Sequence, residues 1–343
     1  MAPALLALAL LGCQDKAPSD SAIDTGELQP QCGSPGPQDD TLRLNAAQAL
    51  GTHNSYHVQQ ENPLDESWAY TMQPLSVQIG ELGVRQIELD VHYHATLGWQ
   101  VFHLPGVDDG TTCQQLADCL AEVKAWSDEH PCHLPITVWI EPKDDIDAAT
   151  DDYLPLSGRF DELDATLATV WPASRVLSPD DLRGDAATLP EALADHGWPT
   201  LAESRGKVLF ALLDSSDYRA EFIAEHPVAE GRVMFPRADD TTADYAAVLK
   251  LDDPTSDYGA IQAAVSAGFL VTCTSDDVGV DAATNSARLE LALSAGCQSV
   301  STNAPSPYDL DGFTASIPEG NPARCDPLSA PEGCTSEALE DLP

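Results

Sequence analysis

The stretch "RQIELDVHYH", residues 85–94, carries the pattern that decides the fold. Its apolar and polar residues alternate, with Ile87, Leu89 and Val91 set against Gln86, Glu88, Asp90 and His92. A strand sends successive side chains to opposite faces. In a barrel of parallel strands, the apolar set packs under helices and the polar set brings two carboxylates into the interior, where they need a cation. The alternative is an exposed edge strand with a solvated polar face.

Strand-like and helix-like segments alternate along the rest of the chain. Residues 113–130 and 281–296 are helix-like, and eight short runs are strand-like: "AQALGTHN", "VRQIELDV", "ITVWIEP", "SRVLSP", "KVLFALLD", "RVMFPRA", "FLVTCTS" and "QSVSTN". Strands that alternate with helices predict parallel pairing. Eight strands are the number that a closed (β/α)8 barrel of the TIM type needs, and a doubly wound sheet is the alternative.

Composition divides the chain into four segments. Residues 1–13, "MAPALLALALLGC", form an apolar run too short to span a bilayer, and they resemble a secretion signal with a bacterial lipobox that ends at a lipidated Cys13. Residues 14–40 are rich in Pro, Gly, Ser and Asp, which is typical of a flexible, disordered tether. Residues 41–320 are predicted to form one catalytic barrel, and residues 321–343 a Pro- and Cys-containing tail. The expected protein is exported, and is either lipid-anchored at the cell envelope or secreted.

The charge balance excludes one class of partner. The chain has 56 acidic and 16 basic residues, for a formal net charge of −40. Nucleic-acid binding needs clustered Lys and Arg, so we expect no nucleic-acid partner. The same charge opposes adsorption to anionic lipid and keeps the chain soluble. We expect a monomer.

The cysteines predict disulfides. The chain has nine cysteines, and eight remain if Cys13 carries lipid, an even set that in an exported chain indicates disulfide pairing. No Cys-x-x-Cys pair supports a zinc or redox site. Sequence does not fix the connectivity, but the favoured pairs are Cys325–Cys334, Cys273–Cys297 and Cys113–Cys119, which leaves Cys32 with Cys132.

Polar side chains collect at the ends of the candidate strands. They come from "GTHNSYH" (51–57), from the opening strand, from "WQVFHLPGVDDG" (99–110) and from "PITVWIEPKDD" (135–145), and they are His53, Asn54, Glu88, Asp90, His103, Glu141 and Lys143. Four of them supply only oxygen, which favours calcium over zinc. Two histidines beside such an ion suit general acid and base roles, and the whole set suits attack at a phosphodiester.

These motifs resemble a known family. "GTHNSYH", "IELDVH", "VFHLPGVD" and "IEPKDD" are similar to segments of the bacterial calcium-dependent phosphoinositide-specific phospholipases C, and the resemblance runs from about residue 42 to residue 334. It implies a TIM barrel in which calcium is held by Asn54, Glu88, Asp90 and Glu141.

The resemblance also implies roles for the other residues. His53 would stabilise the charge that develops on phosphate, and His103 would handle the proton of the leaving diacylglycerol. The inositol 2-hydroxyl, acidified by calcium, would attack phosphorus and give inositol 1,2-cyclic phosphate. Lys143 either contacts phosphate or inositol, or forms a salt bridge to Glu141 or Asp144. His57 is expected to be structural, and Asn303 stands where the family suggests an acidic residue.

The expected substrate is phosphatidylinositol or a related inositol phosphodiester, met at a membrane through the N-terminal lipid. A water-soluble glycerophosphoinositol would fit the acidic surface better. Two other functions stay open. A glycerophosphodiester phosphodiesterase normally opens with His-Arg-Gly, where this chain has His53-Asn54-Ser55. A non-catalytic surface lipoprotein on the same barrel is the other.

Overall fold

A computed structural model describes residue 1 and residues 31–33, 36–144, 152–214, 216–320 and 322–340. Cys13, and with it the predicted lipidation, lies outside these residues. Among them the strands are β1 (Ala47–Thr52), β2 (Gln86–His94), β3 (Gly98–Val101), β4 (Ile136–Pro142), β5 (Tyr153–Leu154), β6 (Val208–Leu212), β7 (Met234–Ala238), β8 (Val248–Lys250), β9 (Leu270–Thr274), β10 (Ser299–Thr302) and β11 (Ala323–Cys325). The helices are α1 (Leu75–Gly80), α2 (Leu116–Glu129), α3 (Phe160–Val170), α4 (Pro179–Arg183), α5 (Leu189–Asp195), α6 (Leu201–Ser204), α7 (Asp217–Phe222), α8 (Pro254–Ser266), α9 (Ala282–Ala295) and α10 (Ser336–Leu339).

Parallel strands close into a barrel. In the described part of the chain, β1, β2, β4, β6, β7, β8, β9 and β10 pair in that order, and β10 returns to β1. β3 and β5 pair antiparallel with the end of β2, and β11 pairs antiparallel with β1. The predicted TIM-type barrel is confirmed, and the doubly wound alternative is wrong because the sheet has no open edge between β1 and β10.

One of the eight predicted strands is wrong. "SRVLSP" contributes only a single parallel bridge between Val176 and Val208. Its run is cut short because Ser178 caps α4, with Pro179 in the first turn. The missing barrel strand is β8, whose three residues are too few to show an alternating pattern.

Strand β2 alternates as its sequence predicts. It pairs with β1 on one side and β4 on the other, so the exposed-edge alternative is wrong. Glu88 and Asp90 are completely buried. On the neighbouring strand, Trp139 donates from Nε1 to Thr272 Oγ1 of β9 at 3.2 Å, a contact between two strands that are not adjacent in the barrel. The polar face of β2 and Trp139 therefore belong to the barrel interior.

The described segments that flank the barrel, which include Cys32, Asp39 and Glu340, pack at its amino end. The structure joins the four cysteine pairs favoured above: Cys32–Cys132, Cys113–Cys119, Cys273–Cys297 and Cys325–Cys334. Asp39, near the end of the predicted tether, is buried in a salt bridge with Arg205. Glu340, after α10, forms a salt bridge with the buried Arg85. Among the described residues, no helix has the length and apolar character to cross a membrane.

Candidate active site at the carboxyl end of the barrel

Three carboxylates meet where β2 and β4 end. Asp90 and Glu141 are register partners on these parallel strands, which places their side chains next to each other. Glu88 stands two residues earlier on the same face as Asp90. One oxygen from each of the three lies within 4.8 Å of the others. Burial, with Glu141 next in effect, raises the pKa of Asp90 well above its usual range. The cluster therefore favours a bound cation.

The oxygen atoms of this cluster fit calcium. Asn54 Oδ1, Glu88 Oε1 and both Asp90 oxygens are buried without a hydrogen-bond partner among the described residues. Asn54 has a left-handed backbone (φ 41°), a conformation that Asn tolerates better than most residues. Its neighbour Ser55 exchanges hydrogen bonds with the Glu88 backbone at 2.8 and 3.0 Å, which places Asn54 beside the carboxylates. Carboxylate and amide oxygens are the ligands that calcium prefers.

Two lysines neutralise part of the negative charge. Lys250 Nζ donates to Glu88 Oε2 at 2.7 Å, and Lys143 Nζ lies 3.0 Å from Glu141 Oε1 and 3.4 Å from Asp90 Oδ2. Burial alone would raise the pKa of Glu88, but Lys250 lowers it below its usual value. Lys250 was not predicted as a site residue because β8, the strand that ends at it, was not predicted.

His53 follows β1 and faces the cluster. Its Nδ1 lies 3.0 Å from Asn303 Oδ1, and its Nε2 lies 3.7 Å from Glu88 Oε1. The side chain of His53 is 38% exposed, so it is accessible from the cavity, while its Nδ1 edge is held by Asn303. Asn303 was noted in the sequence only as a departure from the expected family pattern.

His103 and His57 share a single buried carboxylate. Asp108 accepts from His103 Nδ1 at 2.8 Å and from His57 Nε2 at 2.9 Å. Burial alone would raise the pKa of Asp108, but the hydrogen bonds from the two histidines lower it to about 2. His57 also bonds the Tyr70 carbonyl oxygen through Nδ1 at 3.0 Å and is completely buried. The hydrogen bond to Asp108 fixes the Nδ1 edge of the His103 ring. Asp108 was not predicted as a site residue.

A cavity of about 610 Å³ opens beside the carboxylate cluster, and the predicted site residues His103, Asn54 and Asp90 are not among the residues that line it. His53, Glu88, Glu141, Lys143, Lys250 and Asn303 line it. Arg237 and Arg288 add two cations to its wall, which sequence analysis did not foresee. Arg288 is paired with Asp277. The cavity wall therefore carries both carboxylates and cations, which suits a ligand that has an anionic group and hydroxyl groups.

Comparison with known proteins identifies the family. The family model described as "Phosphoinositide phospholipase C, Ca2+-dependent" matches residues 92–327, more than half of the chain. The chain belongs to the Ca2+-dependent phosphoinositide phospholipase C family. The resemblance stated from the motifs is confirmed, as are the predicted enzyme class and its calcium cofactor. Among curated proteins, no relative was found.

Solved phospholipases C of this kind share the fold. A calcium-dependent phosphoinositol-specific enzyme from Pseudomonas sp. is 21% identical over 85% of this chain and 98% of its own, with a TM-score of 0.56. The Ca2+-dependent phosphatidylinositol-specific enzyme from Streptomyces antibioticus is 22% identical over 79% of this chain and 98% of its own, also with a TM-score of 0.56. At this level of identity the likeness supports the barrel fold.

The part of this chain that the family model matches includes some of the predicted site residues and excludes others. His103, Glu141 and Lys143 fall within residues 92–327, whereas His53, Asn54, Glu88 and Asp90 precede it. The structure places His53 and Glu88 in the wall of the same cavity as Glu141 and Lys143.

Proposed function

We propose that this enzyme cleaves the phosphodiester of phosphatidylinositol by attack of the inositol 2-hydroxyl, releasing diacylglycerol and inositol 1,2-cyclic phosphate. The observation that carries the proposal is the meeting of Glu88, Asp90 and Glu141 beside His53 at the cavity of a Ca2+-dependent phosphoinositide phospholipase C. Asn54, Glu88, Asp90 and Glu141 would hold calcium. When bound, the ion polarises the phosphate and the attacking hydroxyl.

The two histidines divide the work on the phosphate. The Nδ1 of His53 is occupied by Asn303, so its Nε2 edge serves the charge that develops on phosphate. The Nδ1 of His103 is occupied by Asp108, so its Nε2 delivers the proton to the leaving oxygen of diacylglycerol. A carboxylate of the cluster takes the proton of the 2-hydroxyl.

Lys143 acts as a counter-ion in this proposal. The salt bridge from Lys143 to Glu141 at 3.0 Å supports that role over a direct contact between Lys143 and phosphate or inositol. Because Lys143 also lines the cavity, its charge still contributes to the field that an anionic substrate meets.

Exposed apolar side chains favour a lipid surface as the place of reaction. Leu64, Leu97 and Tyr308 are 77%, 55% and 38% exposed, and they lie in the loops that follow β1, β2 and β10 at the carboxyl end of the barrel. Such side chains lower the free energy when they enter the interface of a bilayer. They support phosphatidylinositol in a membrane over water-soluble glycerophosphoinositol.

The proposed setting is the cell envelope. The four disulfides are consistent with export. We propose in addition that Cys13 carries lipid and that the enzyme works as a monomer. Mass mapping of exported protein is expected to find lipid on Cys13 and no free thiol among the other eight cysteines. Several reduced cysteines in native material would contradict export.

Phosphorus NMR of the products tests the reaction. With phosphatidylinositol vesicles and calcium, we expect the signal of a five-membered cyclic phosphate to appear first. A phosphomonoester from the earliest time point would instead indicate a phosphodiesterase, and an absence of turnover would indicate a binding protein. Glycerophosphoinositol in a parallel sample shows whether the lipid is required.

A further inference from the structure

A chain of hydrogen bonds runs from His53 into the barrel wall. His53 Nδ1 lies 3.0 Å from Asn303 Oδ1, just after β10. Asn303 in turn donates to Asp276 Oδ2 twice, from its side-chain Nδ2 at 3.1 Å and from its backbone nitrogen at 3.0 Å. Asp276 follows β9 and is completely buried. The carboxylate thus ends a path of three residues from three different parts of the chain.

The chemistry of this path sets the direction of every hydrogen bond. Asp276 Oδ2 already accepts the backbone N–H of Asn303, so it faces a donor on the side chain as well. Turning the amide over would set its oxygen against the carboxylate oxygen, which is repulsive. The Asn303 NH2 group therefore points to Asp276 and its oxygen points to His53. An amide oxygen only accepts, so the facing Nδ1 of His53 carries hydrogen.

We infer that Asp276 is a positioning residue for His53, acting through Asn303. It locks the amide, and the amide oxygen accepts from Nδ1–H of His53. In the neutral ring Nε2 then carries no hydrogen, and in the cationic ring Nε2–H faces the cavity and can donate to phosphate. The functional meaning of this tautomer rests on the role proposed above for His53. The tautomer itself is a property of the protein that is measurable without any substrate.

A purely structural role for Asp276 makes a different prediction. The same two hydrogen bonds join the loop after β10 to the end of β9, so losing them lowers stability in either case. Only the positioning role predicts a change in the ring of His53. The two roles are therefore separated by the tautomer and not by stability.

The experiment is a two-bond nitrogen–proton NMR spectrum of histidine-labelled protein, recorded with saturating calcium at a pH where the ring is neutral. We expect His53 in the Nδ1–H form. In Asp276→Ala and Asn303→Ala, the Nε2–H form that free imidazole prefers is expected to appear. Asp276→Asn, whose amide oxygen still accepts from Asn303, is expected to restore most of the original signal. His130 and His226 face carbonyl oxygens through Nδ1 and serve as internal references.

Kinetics on phosphatidylinositol vesicles complete the test. Asp276→Ala is expected to lower kcat by about 10- to 100-fold with little change in KM, because only the tautomer and orientation of the ring that stabilises charge on phosphate are altered. The double variant with Asn303→Ala is expected to be no worse than Asn303→Ala alone, because both residues act along one path. Asp326→Asn is the control, a buried carboxylate in the turn that follows β11.

Two results would overturn the inference. One is an unchanged Nδ1–H signal for His53 in Asp276→Ala, or in Asn303→Ala if Asp276→Ala does not fold. The other is a double variant whose loss equals the sum of the single losses. Full turnover in His53→Ala would remove the proposed role of His53 in catalysis and leave the tautomer result standing.

Discussion

Replacing Asp108 by Asn tests whether one buried carboxylate holds His103 ready for proton transfer. Asp108 is completely buried and accepts from His103 at 2.8 Å and from His57 at 2.9 and 3.0 Å. A hydrogen bond to a charged group contributes about 1.5–3 kcal/mol. Losing the charge shared by two such partners is expected to lower the free energy of unfolding by about 3–5 kcal/mol, the range for a broken buried pair.

The same substitution is expected to lower kcat by about 10²–10⁴-fold, the contribution of a positioned general acid. An amide presents an NH2 group on one side, so Asn at this position cannot accept from both histidines at once. KM and calcium affinity are expected to change little, because Asp108 is not one of the three clustered carboxylates.

The assay combines urea unfolding with turnover of phosphatidylinositol vesicles. Asp109→Asn is a matched control, since Asp109 is the next residue, is exposed and bonds only Gln60 in the described structure. A variant at Asp108 that keeps more than about half of the wild-type kcat would refute the link between this carboxylate and His103.

Chelator is expected to abolish turnover, and calcium but not zinc is expected to restore it; unchanged activity in excess chelator would contradict the cluster as a calcium site. Glu88→Gln is expected to weaken calcium binding, measured by titration calorimetry, and to lower turnover as well. His53→Ala is expected to cost several orders of magnitude in kcat with calcium affinity nearly intact, whereas His57→Ala mainly lowers the melting temperature, and the reverse pattern would show that the roles are exchanged. The buried His133 has its pKa lowered from 6.5 to about 4, first by burial. Its neutral form is favoured in the fold, so the free energy of unfolding is expected to fall by up to about 3 kcal/mol as the pH drops from about 6.5 to about 4. His133→Gln is expected to flatten that part of a stability–pH curve, and an unaltered slope would contradict the assignment.

The barrel was predictable because its informative strand has a strong pattern. Ile87, Leu89 and Val91 alternate with Glu88 and Asp90, and that alternation survives in the structure because β2 is buried on both faces. Strand β8 was not predictable, because three residues carry no period. Residues 174–179 have a strand-like composition, but helix α4 begins within this run, with Ser178 as its N-cap and Pro179 as its first residue.

Only those site residues were predictable whose signal lies within a single strand. Glu88, Asp90 and Glu141 are polar residues at strand ends, a local signal. Lys250 and Asp276 reach their partners across 162 and 27 residues, and nothing in the sequence near either one indicates the contact.

The disulfide between Cys32 and Cys132 sets how the enzyme is presented to its surroundings. Cys132 precedes β4, so the bond lies at the amino end of the barrel, opposite the cavity over the carboxyl ends of the strands. Any carrier coupled to the chain ahead of Cys32 therefore pulls on the far end of the barrel, and the cavity points away from the point of attachment. In an enzyme immobilised through its N-terminus, the opening of the cavity is expected to stay accessible to vesicles in solution.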